Sequence, residues 1–185
     1  MRESHTMDEP GAYDREILMP PPPARLHLIG IGGSGMSGLA RMLAEQGYQV
    51  TGSDVAESPT TASLRQDGIA IAIGHDAANV ANADFIIVTA AVRPSNPELV
   101  AAEERGIPVV KRAAVLGLLC NQRECIAIAG THGKSTTSGM LAVALTEAGE
   151  LPSFAVGATI RRLGVSTQTG SGRIFVVEAD EYDYS

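Results

Sequence analysis

Gly130-Thr131-His132-Gly133-Lys134-Ser135-Thr136 joins flexible backbone, a cation and hydroxyls directly after the apolar run Ile126-Ala127-Ile128-Ala129. Glycines let backbone N–H groups turn toward phosphate oxygens, the Lys134 ammonium offsets their charge, and Ser135 offers an oxygen to a magnesium ion. A helical pattern follows through Met140-Leu141, Val143-Ala144-Leu145 and Ala148, with Gly149 as its stop. The positive end of that helix faces the same anion. The stretch suits a nucleoside triphosphate, although a standard phosphate loop has a glycine five places before Gly133, where Ile128 stands. The plainer reading is a turn with an exposed lysine.

A second glycine cluster, Gly30-Ile31-Gly32-Gly33-Ser34-Gly35, fits the pattern that binds a nucleoside diphosphate between a strand and a helix. Gly30 permits the tight turn, Gly32 lets phosphate approach the backbone, and Gly35 permits close helix packing. Asp54 follows the next strand, where a carboxylate can take a ribose hydroxyl. NAD, FAD and a UDP-sugar all present a pyrophosphate and a ribose, so the pattern does not choose among them. The plainer reading is a glycine turn packing a helix on a sheet.

Glu178-Ala179-Asp180-Glu181 follows the apolar run Ile174 to Val177, where a buried strand delivers a carboxylate to its C-terminal edge. Magnesium commonly uses one or two carboxylates plus phosphate oxygens and water. Glu178 is therefore the expected metal ligand, direct or through water, against the alternative of a solvated acidic loop. His132 either touches phosphate or orients its loop. His75 lines the first nucleotide site or sits in a surface turn, and His27 is structural.

Strand-like and helix-like runs alternate from Leu26 onward, the order that gives a parallel sheet covered by helices. Strands are expected at Leu26 to Ile29, Gln49 to Thr51, Ile69 to Ile73, Phe85 to Val88 and Pro108 to Val110. Helices are expected from Met36 to Ala44, from Thr60 to Asp67, after Ser95 or Asn96, and from Ala113 to Leu119. Further strands are expected at Phe154 to Val156 and at Ile174 to Val177. The predicted fold class is α/β: a Rossmann-like doubly wound parallel sheet over residues 25–120, then the beginning of a P-loop-type α/β ATPase domain over 121–185. Residues 1–24, with the run Pro20 to Pro23, read as a disordered tail and stiff leader. About sixty residues after Cys125 make a small α/β unit, so the chain is expected to stop inside its second domain.

Composition narrows the classes. Of 185 residues 44% are apolar, ample for a packed core, and the net charge of -7 argues against a nucleic-acid surface. Neither a secretory segment nor a membrane span is legible, and the expected location is the cytoplasm. Cys120 and Cys125 read as reduced thiols near the start of a buried strand rather than a zinc pair.

In combination, His27 to Gly38, Gly52-Ser53-Asp54, Gly130 to Thr136 and Glu178 to Glu181 resemble the Mur ligases, in register over residues 26–185. The resemblance implies a cytoplasmic enzyme of peptidoglycan synthesis that uses ATP and Mg2+ to join L-alanine to the carboxylate of UDP-N-acetylmuramate through an acyl phosphate. It implies that Gly130, Thr131, His132, Gly133, Lys134, Ser135 and Thr136 bind ATP, that Lys134 is catalytic, and that Ser135 and Glu178 hold the metal. It places Gly32, Gly33, Ser34, Gly35, Met36, Ser53, Asp54 and Asn96 at the UDP-sugar, with the Thr89-Ala90-Ala91 turn nearby. Residues for the amino acid, the adenine and a second metal are not among these motifs, so the isolated chain is expected to be inactive as a ligase. Two alternatives stand beside this reading. A tripeptide-recycling ligase acts on the same UDP-sugar, and an NAD(P)-dependent oxidoreductase would use Gly30 to Gly35 but leaves the loop at Gly130 unexplained.

Overall fold

The computed structural model describes residues 19–179. The expected tail up to residue 18, and Asp180 and Glu181 of the acidic cluster, lie outside the described residues. Within the expected tail of residues 1–24, and against the expectation of disorder there, Met19 packs against the main core and the Ala24 N–H donates to Pro21 O at 3.2 Å. An apolar side chain and a tight turn tie this short segment to the domain.

Two sheets organise the chain. The first holds β1 (Arg25–Ile29), β2 (Gln49–Asp54), β3 (Ala70–Ile73), β4 (Phe85–Val88) and β5 (Val109–Lys111), all parallel, in the order β3-β2-β1-β4-β5. The order reverses direction at β1 and β4, and the crevice beyond their C-terminal ends is where open α/β sheets bind ligands. The connecting helices are α1 (Ser34–Glu45), α2 (Pro59–Gln66), α3 (Pro97–Arg105) and α4 (Arg112–Asn121), with a short 3-10 turn at Ala77–Val80.

Local chemistry sets most of the helix ends. Ser58 and Thr61 close a reciprocal capping box ahead of α2. Asn96 accepts from the Glu98 N–H to start α3, Pro97 takes the first position, and Gly106 ends it in the left-handed region.

The second sheet follows β6 (Glu124–Ile128) and α5 (Lys134–Glu147) with β7 (Ser153–Ile160), β8 (Val165–Gln168) and β9 (Ile174–Glu178), in the order β6-β9-β7-β8. Among the described residues only β8 runs antiparallel. β8 holds a single apolar residue, Val165, and carries no apolar alternation, which is why the sequence pattern gives no sign of it.

Layers alternate through the molecule. α3 and the 3-10 turn cover one face of the first sheet through Ile29, Ile86, Val88, Ala101 and Ala102. α1, α2 and α4 cover its other face, and their core continues into Phe175 and Val177 of β9. The alternate β9 residues Ile174 and Val176 point the other way, toward Phe154, Val156 and α5. One helix layer thus lies between the sheets. Gly38 makes that approach possible, since a Cβ there would stand 2.2 Å from Thr167 Oγ1 of β8.

Candidate functional site

The first glycine loop is tied to the strand beside it. Gly30 takes φ +78, and the N–H groups of Gly30 and Ile31 both donate to Ser53 O, at 2.8 and 3.0 Å. Gly33 N–H closes the turn on Gly30 O at 3.1 Å. Asp54, at the end of β2, accepts from the Gly32 N–H at 2.8 Å, and a Cβ on Gly32 would stand 2.8 Å from the same carboxylate oxygen. Gly33 caps α1 without a side-chain bond, so the first N–H groups of that helix remain available to an anion.

Ser53 and Asn96 sit elsewhere than at an open ligand surface. Ser53 is fully buried and its hydroxyl donates to Glu98 Oε2 at 2.7 Å, while Asn96 caps α3 through the Glu98 N–H. Glu98 is the centre of a polar cluster that sequence reasoning missed. It is 0% exposed; Asn79 donates to its Oε1 at 2.6 Å, and His75 Nδ1 lies 3.0 Å from its Oε2. His27 Nε2 stands 3.7 Å from Oε1, beyond hydrogen-bond reach, while its Nδ1 lies 2.9 Å from Thr51 Oγ1. Burial pushes the Glu98 carboxyl up, but His27, Asn79 and Ser53 together outweigh it and hold the group below its ordinary value. The available signal was a glutamate in the first turn of a helix whose cap and proline were already legible.

The second loop lies between β6 and α5. Gly130 has φ +141 and Gly133 has φ +77, conformations that disfavour other residues and leave Gly133 as an uncapped start to α5. Lys134 folds back over this loop, its Nζ donating to Gly130 O at 2.6 Å. Thr131, His132, Ser135 and Thr136 are exposed.

Register explains the carboxylate beside it. β9 pairs directly with β6, Ile128 opposite Glu178, so the last residue of one strand flanks the first turn of the loop leaving the other. Ser135 Oγ donates to Glu178 Oε2 at 3.2 Å, and Ser138 Oγ lies 3.0 Å from Glu178 Oε1. A hydroxyl and a carboxylate at the edge of a glycine loop form a hard oxygen donor set that fits magnesium with phosphate and water completing its shell. Among the described residues no three His, Cys, Asp or Glu side chains converge into a cage made by protein ligands alone. Cys120 is buried, and burial first, then the Cys125 thiol, pushes its own thiol up to about 12; Cys125 is exposed on a half-covered strand, not a buried one.

A cavity of about 370 Å³ runs from the first loop to Glu178, the carboxylate that faces Ser135 of the second. Gly33, Ser34, Gly35 and Met36 line one side, and Gly157 and Glu178 the other, with Thr89 and Arg112 also in the wall. The structure therefore brings together Gly33 to Met36 and Glu178, and it keeps Ser53 and Asn96 in the polar cluster behind them.

Comparison with known proteins identifies the family. Residues 25–124 match the model of the Mur ligase family, catalytic domain. The UDP-N-acetylmuramate--L-alanine ligase of Clavibacter michiganensis subsp. michiganensis is 48% identical over 174 residues, 94% of this chain and 37% of that protein. The ligase of the same name from Psychrobacter cryohalolentis is 51% identical over 160 residues, 86% and 33% of the two chains. The chain spans about a third of the length of the curated relatives it matches. Among solved structures, UDP-N-acetylmuramate-alanine ligase from Thermotoga maritima superposes with a TM-score of 0.76 at 34% identity, covering 83% of this chain and 37% of that one. The UDP-N-acetylmuramate:L-alanyl-gamma-D-glutamyl-meso-diaminopimelate ligase from Neisseria meningitides gives 0.80 at 34% identity, covering 87% and 54%.

Proposed function

The chain belongs to the Mur ligase family, and from that membership we propose that its two glycine loops serve the ATP-dependent joining of L-alanine to the carboxylate of UDP-N-acetylmuramate, in peptidoglycan synthesis. The observation that carries the proposal is the Ser135–Glu178 pair beside a lysine-bearing glycine loop, across one cavity from the Gly33 to Met36 loop. Curated relatives at 48–51% identity carry the alanine ligase name, which favours alanine over a tripeptide as the acceptor.

In this reading residues 25–120 form the UDP-sugar-binding domain and residues 121–185 begin the ATPase domain. The uncapped start of α1 and the Gly32 to Met36 loop face the pyrophosphate, with Asp54 toward the nucleoside. Ser53 and Asn96 support that edge from beneath. Gly130 to Thr136 cradle the triphosphate of ATP. Magnesium, held by Ser135 and Glu178, would supply Lewis-acid neutralisation of phosphate charge.

A carboxylate resists attack by an amine because it is anionic and its oxide is a poor leaving group. Transfer of the γ-phosphoryl group of ATP to the muramoyl carboxylate releases ADP and gives an acyl phosphate, and the alanine amine displaces phosphate from it, giving up a proton, to form the amide. The Lys134 ammonium has protons beyond the one given to Gly130 O, and these stabilise charge on the transferring group. The cavity that leads from the Gly33 to Met36 loop to Glu178 gives the carboxylate a path toward the phosphoryl group. No helix among the described residues is long and apolar enough to cross a membrane, and the proposed location is the cytoplasm, where both nucleotides are found.

Titration with UDP-N-acetylmuramate and, separately, with NADH tests the substrate class. Binding of the UDP-sugar is expected; tight NADH binding without it would overturn the proposal. An acceptor screen on the active ligase tests the second half, since turnover with the tripeptide but not with L-alanine would refute the assignment.

A further inference from the structure

We infer that Ser138 and Gly157 are positioning residues for the Glu178 carboxylate, one by holding an oxygen and the other by leaving space for its partner oxygen. The inference rests on the proposed role of Glu178 as a metal ligand. Ser138 is 0% exposed, one turn into α5 from Lys134. Its Oγ lies 2.6 Å from Lys134 O and 3.0 Å from Glu178 Oε1, and its single proton serves one of them at a time. With the hydroxyl removed, Oε1 loses this contact.

Gly157 acts by what it lacks. It lies in β7, on the cavity wall, and its φ is not in the left-handed region, so the backbone places no demand for glycine there. A Cβ at this position would stand 2.8 Å from Glu178 Oε2 and 3.3 Å from Ser135 Oγ. The first of those distances is too short for any carbon. Because the obstructing atom ends a flexible side chain, the fold can accept alanine by swinging the carboxylate aside. That movement takes Oε2 away from Ser135, so space reserved at residue 157 keeps the two oxygens facing each other.

Residues behind a metal ligand typically change metal affinity by about 10–100-fold when altered. The test is electron paramagnetic resonance titration of Mn2+ into the full chain in the presence of tripolyphosphate, comparing wild type with Glu178→Gln, Ser138→Ala, Gly157→Ala and Gly139→Ala. Gly139 neighbours Ser138 on α5, and its nearest obstruction to a Cβ is Ile160 at 3.6 Å, so it serves as the control. Glu178→Gln is expected to lose the Mn2+ site. Gly157→Ala and Ser138→Ala should each weaken it about tenfold, with Gly139→Ala unchanged.

Tripolyphosphate binding in the presence of a chelator separates positioning from damage to the loop, and should stay within about twofold of wild type in both positioning variants, well under 1 kcal/mol. Wild-type Mn2+ affinity in Ser138→Ala and Gly157→Ala, alongside loss in Glu178→Gln, would overturn the inference while leaving the metal reading intact. Equal loss of metal-free tripolyphosphate binding would also overturn it, since the loop itself would then have been disturbed. An unchanged Mn2+ site in Glu178→Gln would overturn the metal reading and the positioning role with it.

Discussion

The two glycine loops use the same device with different neighbours. At each, a parallel strand ends, glycines turn the chain, a helix starts without a side-chain cap, and the adjacent parallel strand presents a carboxylate. At the first, Asp54 bonds the Gly32 N–H and holds the backbone of the loop. At the second, Glu178 leaves the backbone alone and faces the Ser135 hydroxyl beside Lys134. A carboxylate engaged with an N–H shapes a backbone cradle; one facing a hydroxyl forms a pair of hard oxygen donors. The strands differ as well. β1 lies between β2 and β4 with Leu26, Leu28 and Ile29 at 0% exposure, whereas β6 has no fully buried residue and, among the described residues, a neighbour on one side only.

The largest effect should come from removing the cation that the first loop lacks. Lys134→Ala is expected to weaken ATP by roughly 10- to 100-fold, the scale of about 1.5–3 kcal/mol for a hydrogen bond to a charged group, and to leave UDP-N-acetylmuramate binding unchanged. Calorimetric titration of both nucleotides reads this directly, and parallel losses would dissolve the contrast between the loops.

Next in size is the converse change. Gly32→Ala places a Cβ 2.8 Å from Asp54 and must move that carboxylate or the loop. A loss of about tenfold in UDP-sugar affinity, ~1.4 kcal/mol, is expected without change at ATP. Equal weakening of ATP in this variant would show that the loops form one site.

A smaller effect is expected at the cluster behind the first loop. Glu98→Gln replaces charge-assisted hydrogen bonds with neutral ones and should cost about 1 kcal/mol of stability in denaturant unfolding. The folded-state value of this carboxyl is lowered, so its contribution is present above the ordinary carboxylate range and fades as pH falls through the lowered value. The variant should lose that part of the acid dependence. An unchanged acid limb would remove Glu98 from the account of the fold.

The smallest effect is expected at the surface pair Arg25–Asp84, where the guanidinium holds the carboxyl down to about 2. Its stabilisation is full above the ordinary value of 3.8 and is lost as pH falls toward about 2. Asp84→Asn should alter stability only slightly at neutral pH and only this acid region of the unfolding profile, because the pair is exposed.

Legibility in the sequence divided along the same physical lines. Short apolar runs, glycine stops and the Asn96-Pro97 cap are local signals, and they located β1, β4, α3 and the turn after each. The proximity of Glu178 to the phosphate loop could be expected from its place after an apolar strand. What brought it opposite Ile128, however, was the insertion of β9 between β6 and β7, a long-range pairing that local pattern does not encode. Ser53 was legible as a residue near a strand end and Asn96 as a helix cap, but the bond that draws Ser53 beneath the site comes from Glu98, forty-five positions away on α3. Gly157 was silent for a related reason: its value lies in an atom it lacks, opposite a residue twenty-one positions away.

The central claim is that the loops are separate sites, the first lining a cavity whose far wall is the Glu178 carboxylate of the second. Its most direct test saturates the chain with UDP-N-acetylmuramate and then titrates Mg·ATP, following bound UDP-sugar throughout. Separate sites predict that ATP binds at one per chain while the UDP-sugar stays bound. Expulsion of the UDP-sugar in step with ATP binding would contradict the claim.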